Sequence, residues 1–197
     1  MSTLRSKNIV LCAFVCLALI QIGVPLSMIG RRELTLRYGR QYRFRTAPFD
    51  PYDAFRGRYV ALRMEQDKAI VPNGSEFFRG QRAFASIEVG EKGFARISGL
   101  SADRPDGEAY LRVRIGYSSG TNEVHLDLSF DRYYMSEKVA PAAEAAYREH
   151  STREKRDAYV TVRVRQGFAV LEELYIGNKP MREFLDRDDL KGERTEN

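Results

Sequence analysis

Residues 9–29 read IVLCAFVCLALIQIGVPLSMI, a stretch of 21 residues without a charged side chain. An α-helix rises about 1.5 Å per residue, so a helix of this length extends about 31 Å and matches the hydrocarbon core of a bilayer. Residues 31–197 instead mix charged and apolar positions in the manner of a water-soluble domain. The sequence therefore predicts a single membrane anchor that carries one globular domain.

A cleaved signal peptide is the alternative interpretation of this stretch. Signal peptides have an apolar core of about 7 to 15 residues, followed by a cleavage site with small residues. Here the apolar run is longer, and it ends in Ser27, Met28, Ile29 and Gly30 before two arginines. The length of the run therefore favours a retained anchor over a cleaved signal.

The chain divides into four predicted segments. These are an N-terminal tail at 1–8, a transmembrane anchor at 9–29, a β-rich globular domain at 31–185 and a C-terminal tail at 186–197. The C-terminal tail is charged and has almost no bulky apolar residues. Because such a composition cannot bury enough apolar surface to fold, we expect this tail to be disordered.

The charge of the predicted domain is nearly balanced. Beyond residue 30 the chain carries 30 basic and 27 acidic residues, and this balance argues against nucleic acid as a partner. Basic residues nevertheless crowd the sequence directly after the anchor. We expect four of them to contact anionic lipid head groups of the bilayer, namely Arg31, Arg32, Arg37 and Arg40.

Few side chains suited to catalysis or metal binding occur in the predicted domain. Both cysteines, Cys12 and Cys16, lie inside the apolar run, so the domain has no thiol. Its two histidines are His125, on the polar face of a predicted strand, and His150, at the end of a predicted helix. We expect His125 to be solvated and His150 to interact with the last carbonyls of that helix. The sequence thus predicts no metal ion and no cofactor.

Alternation of apolar and polar residues is the main pattern beyond residue 33, and it predicts β-strands. The apolar positions of the clearest runs are Leu34, Leu36 and Tyr38; Tyr42 and Phe44; Val60, Leu62 and Met64; Leu111, Val113 and Ile115; Val124, Leu126, Leu128 and Phe130; Val160, Val162 and Val164; and Phe168, Val170, Leu174 and Ile176. Further runs occur near 83–89 and 93–98. Short strands separated by turns indicate a mainly β (α+β) domain, built as an antiparallel β sandwich or a partly open barrel.

Two local signals complete the predicted fold. Residues 140–149 read APAAEAAYRE, in which Pro141 suits a first helical position and Ala143, Ala146 and Tyr147 form an apolar stripe at helical spacing. This segment predicts the one helix of the domain, packed against or across the sheet. Gln166–Gly167 separates the last two strand runs and predicts a tight hairpin turn.

The most unusual stretch of the domain is FDPYDAFRGRYVAL, at residues 49–62. Pro51 restricts the residue before it to extended conformations, and Gly57 can adopt a positive φ, so the stretch reads as a loop leading into a strand. Asp50 and Asp53 lie close enough in sequence to Arg56 to accept hydrogen bonds from its guanidinium. An arginine neighbour favours the ionised carboxylates, so bracing of the loop explains these residues better than acid–base catalysis.

This stretch resembles the GDYXXLXY family of membrane-anchored bacterial proteins. In that family an Asp-Pro-x-Asp-x-x-Arg-Gly element leads into Gly-Asp-Tyr-x-x-Leu-x-Tyr. The matching residues are Asp50, Pro51, Asp53, Arg56, Gly57, Tyr59 and Leu62. Two positions differ, because Arg58 replaces the aspartate of the motif and Met64 replaces its final tyrosine. The family has no established catalytic residues, so the resemblance implies a structural or binding role for this loop.

The resemblance also implies a location and a broad function. It suggests a single-pass protein of the bacterial inner membrane with a periplasmic domain, whereas the positive-inside rule alone would leave the domain in the cytoplasm. We expect a non-catalytic accessory or binding module for a membrane or envelope partner.

The alternative function is a signal-peptidase-like serine/lysine membrane protease, since such enzymes also join an N-terminal span to a β domain. Ser27-Met28 and Arg56-Gly57 are similar to short motifs of those enzymes. Lys68 is the nearest candidate for the base that a serine nucleophile requires. The proline and threonine expected after the serine are missing, and this weakens the alternative.

Overall fold

The computed structural model describes residues 2–47, 59–71, 76–118, 122–152 and 154–186, with side chains from residue 9 onward. Two helices of more than ten residues and twelve strands lie within these ranges. They are α1 Ser2–Tyr38, β1 Arg40–Ala47, β2 Tyr59–Ala61, β3 Arg63–Met64, β4 Lys68–Ile70, β5 Arg82–Val89, β6 Ala95–Ser101, β7 Tyr110–Ser118, β8 Glu123–Asp127, β9 Arg132–Tyr134, α2 Ala140–His150, β10 Ala158–Arg165, β11 Phe168–Ile176 and β12 Lys179–Pro180. Residues 181–186 form a further short helical segment, so the domain contains more helix than the single one predicted, and the predicted tail lies outside the described residues from 187 onward.

The apolar run lies within α1, which continues to Tyr38, so the strand predicted from Leu34, Leu36 and Tyr38 is wrong. Extending an existing helix adds one hydrogen bond for each residue fixed, which outweighs a short alternating pattern. The Thr35 hydroxyl donates to the Arg31 carbonyl at 2.9 Å, as a helical side chain can. Leu34 and Tyr38, which the strand pattern places on the buried face, are 44% and 72% exposed, whereas Thr35 is 1% exposed, so the alternating apolar residues do not mark the buried face here.

The first sheet has the strand order β12-β11-β10-β1-β3, and every neighbouring pair in it is antiparallel. Alternate residues of its strands enter the core, including Phe44, Val160 and Leu174. The predicted hairpin between β10 and β11 is confirmed, because Gln166 and Gly167 have φ angles of 51° and 75°. Two successive positive φ angles are typical of the turn that best matches the twist of a hairpin.

The second sheet has the order β4-β8-β7-β5-β6 and is also antiparallel throughout. Its edge strands β4 and β6 contact each other, so the sheet curls towards closure. At this seam the Ile97 amide donates to the Gln66 side-chain oxygen at 3.2 Å. The antiparallel, mainly β fold predicted from sequence is confirmed, and this sheet has the partly open barrel form.

The run from Val60 to Met64 is divided between two partners. Strand β2 pairs with β9, and β3 pairs with β1. Leu62 lies between β2 and β3, where its amide donates to the Asp131 carbonyl at 2.8 Å. The run predicted from Val124 also ends early, because the chain leaves the sheet after Asp127 while Phe130 stays in the core at 2% exposure.

Helix α2 confirms the predicted domain helix. Its buried stripe comprises Ala140, Ala143 and Tyr147, and the Tyr147 hydroxyl donates to the Ala47 carbonyl at 3.1 Å. The helix therefore fixes the end of β1.

Candidate functional site

Most of the motif loop lies outside the described residues. Asp50, Pro51, Asp53, Arg56 and Gly57 fall in the undescribed range 48–58. The predicted pairing of Arg56 with the two aspartates therefore stays a prediction.

The two described motif residues point in opposite directions from the chain. Leu62 is 5% exposed and belongs to the core. Tyr59 lies at the surface, where it is opposite Tyr134 in the β2–β9 register with a ring separation of 5.5 Å. The Arg132 guanidinium lies 5.2 Å from the centre of the Tyr59 ring. Of these two residues, Leu62 stabilises the fold and Tyr59 contributes to a surface cluster of aromatic rings and a cation.

Met64 occupies the position of the motif's final tyrosine, and it is 4% exposed. It is paired with Thr46 across the β1–β3 ladder, so its side chain enters the core next to β1. The departure from the motif therefore changes core packing at this position.

Restoring the motif with Met64→Tyr should lower the free energy of unfolding by about 1 to 2 kcal/mol, since a larger ring and a hydroxyl must enter a filled core. Chemical denaturation of the full chain in detergent measures this loss. Met64→Leu is the control, because it nearly conserves volume and should cost less than the tyrosine. A tyrosine variant as stable as the wild type would show that the core keeps room for the family residue.

A cleft of about 380 Å³ lies beside this surface cluster, where α1 meets the domain. We call it the anchor-side cleft. Its charged and phenolic lining consists of Arg32, Arg132, Tyr133, Tyr134, Glu172, Glu173 and Arg182. Arg32 comes from α1, and the neighbouring Arg31 places its guanidinium 4.4 Å from the ring centre of Phe168, which also lines the cleft. The cleft thus joins residues of the anchor helix to residues of both β9 and β11.

The two glutamates of the anchor-side cleft are held by hydrogen bonds. Glu172 accepts from Arg163 Nε at 3.0 Å and from Gln41 Nε2 at 2.6 Å. Glu173 accepts from the Tyr133 hydroxyl and from the Leu174 amide. The lining arginines are therefore the groups of this cleft best placed to meet an external anion.

Tyr133 is the most perturbed phenol of the cleft. Burial, together with the hydrogen bond and the negative charge of Glu173, raises the pKa of its hydroxyl far above the ordinary value, and Arg182 partly opposes this shift. The phenol therefore stays protonated in the folded protein and continues to donate to Glu173.

The raised pKa of Tyr133 predicts a loss of stability at high pH. Above about pH 10 the unfolded chain releases this proton while the folded chain keeps it, so the contribution of Tyr133 is complete below pH 10 and falls as pH rises. Tyr133→Phe should lower the free energy of unfolding by about 1.5 kcal/mol at pH 8, the scale of a hydrogen bond to a charged group. Urea denaturation of the wild type and the variant should show a smaller difference in this free energy at pH 11 than at pH 8. A difference that is constant with pH would contradict the assignment.

His125 is buried rather than solvated, so that prediction is wrong. Its ring is stacked on Tyr117 with centroids 4.0 Å apart, and its Nδ1 lies 3.8 Å from an Asp67 carboxylate oxygen. Because Tyr117 covers the polar face of the strand, alternation alone gave the wrong environment for His125.

His150 also differs from its prediction. Its Nδ1 lies 2.9 Å from Asp157, which replaces the expected contact with the last carbonyls of α2, and its ring packs edge-on against Phe184. The chain that follows the helix returns close enough to supply a carboxylate, a stronger partner than a carbonyl. Within the described ranges no three His, Cys, Asp or Glu residues are grouped as metal ligands.

Ser27 and Lys68, the candidate residues of the protease alternative, contact other groups in the structure. The Ser27 hydroxyl donates to the Val24 carbonyl at 2.7 Å within α1. Lys68 lies on β4, where its ammonium is 3.6 Å from a Glu123 carboxylate oxygen. Neither contact is the nucleophile–base hydrogen bond that the alternative requires.

The four arginines predicted to contact lipid head groups are Arg31, Arg32, Arg37 and Arg40. Arg37 forms an ion pair with Glu33 at 2.6 Å, so its charge is offset. Arg40 places its guanidinium 5.6 Å from the Tyr42 ring centre. Arg32 lines the anchor-side cleft and has no acidic partner among the described residues.

A larger and more open cleft, of about 620 Å³, lies between β1 and the β5–β6 hairpin. Its lining includes Arg45, which stacks 4.4 Å from the Phe94 ring centre, and Glu65, which pairs with Arg156 at 3.5 Å. Its charged lining also includes Glu91, Lys92 and Arg96, so both signs of charge meet in this cleft.

Comparisons with known proteins support the family resemblance. The GDYXXLXY family model matches residues 21–174. Neither curated proteins nor solved structures gave a match. The helical segment Ile9–Tyr38 is long and apolar enough to cross a membrane, and its most apolar part is not buried by the domain. With a family match over most of its length, the chain belongs to the GDYXXLXY protein family.

Proposed function

We propose that this chain is a single-pass protein of the bacterial inner membrane whose periplasmic β domain is a non-catalytic binding module for a membrane or envelope partner. One observation carries the proposal: α1 passes from the apolar run into the domain without a linker. Thr35 is buried, and the backbone of Gly39 lies against Val164 of β10. A module docked in this way is held close to the bilayer and presents the same surface to it.

The helix length sets the distance between the bilayer and the domain. Residues 30–38 add roughly 13 Å of helix beyond the apolar run. The head-group layer is about 5 to 8 Å thick on each side. Strand β11 begins at Phe168, on which Arg31 packs only two residues past the apolar run, so this end of the domain falls within that layer, and the rest of the domain extends beyond it.

Membrane integration and orientation are tested first. Sodium carbonate washing of isolated membranes should leave the full-length chain in the pellet. Protease added to spheroplasts should degrade the domain, with a cytoplasmic protein as the protected control. Release by carbonate would overturn the anchor, and a protected domain would overturn the periplasmic location.

The binding role is tested by site-specific photocrosslinking in intact membranes. A photoreactive residue at Tyr134, which is 60% exposed beside the anchor-side cleft, should give a discrete adduct. The matched control is Tyr117, which is 56% exposed on the second sheet and does not line this cleft. Equal labelling from both positions, or monomer alone from both, would contradict a partner at this face.

A further inference from the structure

We propose that the anchor-side cleft binds the phosphate of an anionic phospholipid head group. The inference rests on the proposed function, because it requires residues 9–29 to lie in the bilayer. It goes further by naming one site, one chemical class of ligand and the side chains that hold it.

Arg32 lies on α1 at the depth expected for lipid head groups. Arg32 follows the apolar run by three residues, which is roughly 4 to 5 Å along the helix axis. This distance falls inside a head-group layer about 5 to 8 Å thick. Arg32 lines the cleft, so the mouth of the cleft lies at the depth where lipid phosphates are found.

The charge of the lining is the second argument. Arg32, Arg132 and Arg182 line the cleft together with two carboxylates. Glu172 is paired with Arg163, and Glu173 accepts from the Tyr133 hydroxyl and the Leu174 amide, so three arginines face one carboxylate that lacks a salt bridge. Each guanidinium offers a planar set of donors that matches two oxygens of a phosphate. Arg132 lies 3.8 Å from Asp131 and hydrogen-bonds the phenol of Tyr134. Arg182 hydrogen-bonds the phenol of Tyr133. Each guanidinium has five N–H donors, so these contacts leave donors for a phosphate.

The aromatic lining is the third argument. Tyr134 exposes 60% of its surface beside the cleft, and Phe168 packs under Arg31. Tyrosine rings are enriched at membrane interfaces, because one end is apolar and the other is polar. With about 380 Å³, the cleft suits a head group, while the acyl chains remain beside α1 in the bilayer.

The test titrates the full-length chain in neutral detergent with phosphatidylglycerol or phosphatidylcholine and measures retained lipid by native mass spectrometry. We expect the wild type to bind phosphatidylglycerol at least tenfold more tightly. The double variant Arg132→Gln with Arg182→Gln should lose this preference. The control, Arg79→Gln with Arg114→Gln, removes the same charge from exposed residues that do not line the cleft, and it should retain the preference.

Two further measurements distinguish guanidinium binding from charge attraction alone, and a lipid ligand from a soluble phosphate. Arg132→Lys with Arg182→Lys keeps the charge without the guanidinium fork, so it should bind several-fold more weakly than the wild type; equal binding would overturn the role of the guanidinium groups. Soluble glycerol phosphate should bind far more weakly than the lipid, and equal affinity would overturn a lipid ligand.

Failure of this inference differs from failure of the proposed function. A carbonate-resistant chain with no preference for phosphatidylglycerol, or with equal loss in the control variant, would overturn the head-group site alone. Release of the chain by carbonate would overturn both.

Discussion

Replacing Gly167 with alanine should lower the free energy of unfolding by about 2 to 5 kcal/mol, because two separate costs act at this turn. Gly167 has a φ of 75°, which costs about 1 to 2 kcal/mol for a residue with a Cβ. That Cβ would also lie 2.4 Å from the Tyr110 ring and 2.8 Å from Arg112 Cγ. Tyr110 is 0% exposed and packs edge-on against Phe84, so its ring has no room to withdraw.

The turn at Gly167 matters because it joins the two sheets. Its carbonyl accepts from the Arg112 amide of β7 at 2.8 Å, so displacement of the hairpin would break a contact between the first and second sheets. Thermal or chemical unfolding of the full chain in detergent would measure the loss, and each kcal/mol should lower Tm by about 2 to 4 °C.

Gly107→Ala is the matched control for this prediction. Gly107 has a φ of 89°, yet an added Cβ would meet no atom within 4 Å. It therefore carries the cost of the left-handed backbone without the clash. Equal losses in the two variants would show that Tyr110 and Arg112 leave space for the side chain, contrary to the structure.

Much of the strand content could be predicted from the sequence, because alternation reports which face of a strand is buried. Phe44, Val162 and Ile176 all occupy core positions that their patterns indicate. The pattern fails where a neighbouring element changes the surroundings. Thr35 lies in an alternating run but continues α1, and His125 lies on a polar face but is covered by Tyr117.

Most residues of the anchor-side cleft and of the neighbouring Tyr59 cluster could not be predicted from the sequence. Tyr59 could be singled out from the motif, but Arg132 and Tyr134 lie more than 70 residues away and carry no motif of their own. The pairing of β2 with β9 places these residues beside Tyr59. Arg182 follows β12, an edge strand of the first sheet, and lines the anchor-side cleft together with Arg132 and Tyr134. Local spacing carries no signal for a cluster formed by such distant strands.

The anchor helix, unlike the cleft, could be predicted from the sequence, but the environment of its arginines could not. An uncharged apolar run of 21 residues is typical of a membrane-spanning helix, so the sequence alone predicts this element. The same composition cannot tell which arginine remains available. Arg37 is paired with Glu33 one helical turn away, whereas Arg32 points into the cleft. The Arg37–Glu33 pair is local to the helix, whereas the place of Arg32 in the cleft depends on how α1 docks against β10 and β11.

Gly39→Ala should lower the free energy of unfolding by about 3 kcal/mol, near the upper end of the usual cost of overpacking. An added Cβ would lie 2.3 Å from the Thr35 carbonyl oxygen and 3.2 Å from the backbone of Val164. Both neighbours are main-chain atoms, so neither can rotate away as a flexible side chain could. The Gly39 carbonyl also accepts from Arg163 at 3.2 Å, and a shifted backbone would weaken that bond.

The expected relief is a movement of α1 away from β10, which would carry Arg32 away from the other arginines of the cleft. Gly39→Ala should therefore reduce the preference for phosphatidylglycerol as well as stability, although it removes no charge. Gly99→Ala is the control, because an added Cβ there meets nothing within 4 Å. Denaturation and lipid titration of both full-length variants give the comparison. If Gly39→Ala destabilised the chain but kept the wild-type lipid preference, the head-group site would not depend on the docking of α1.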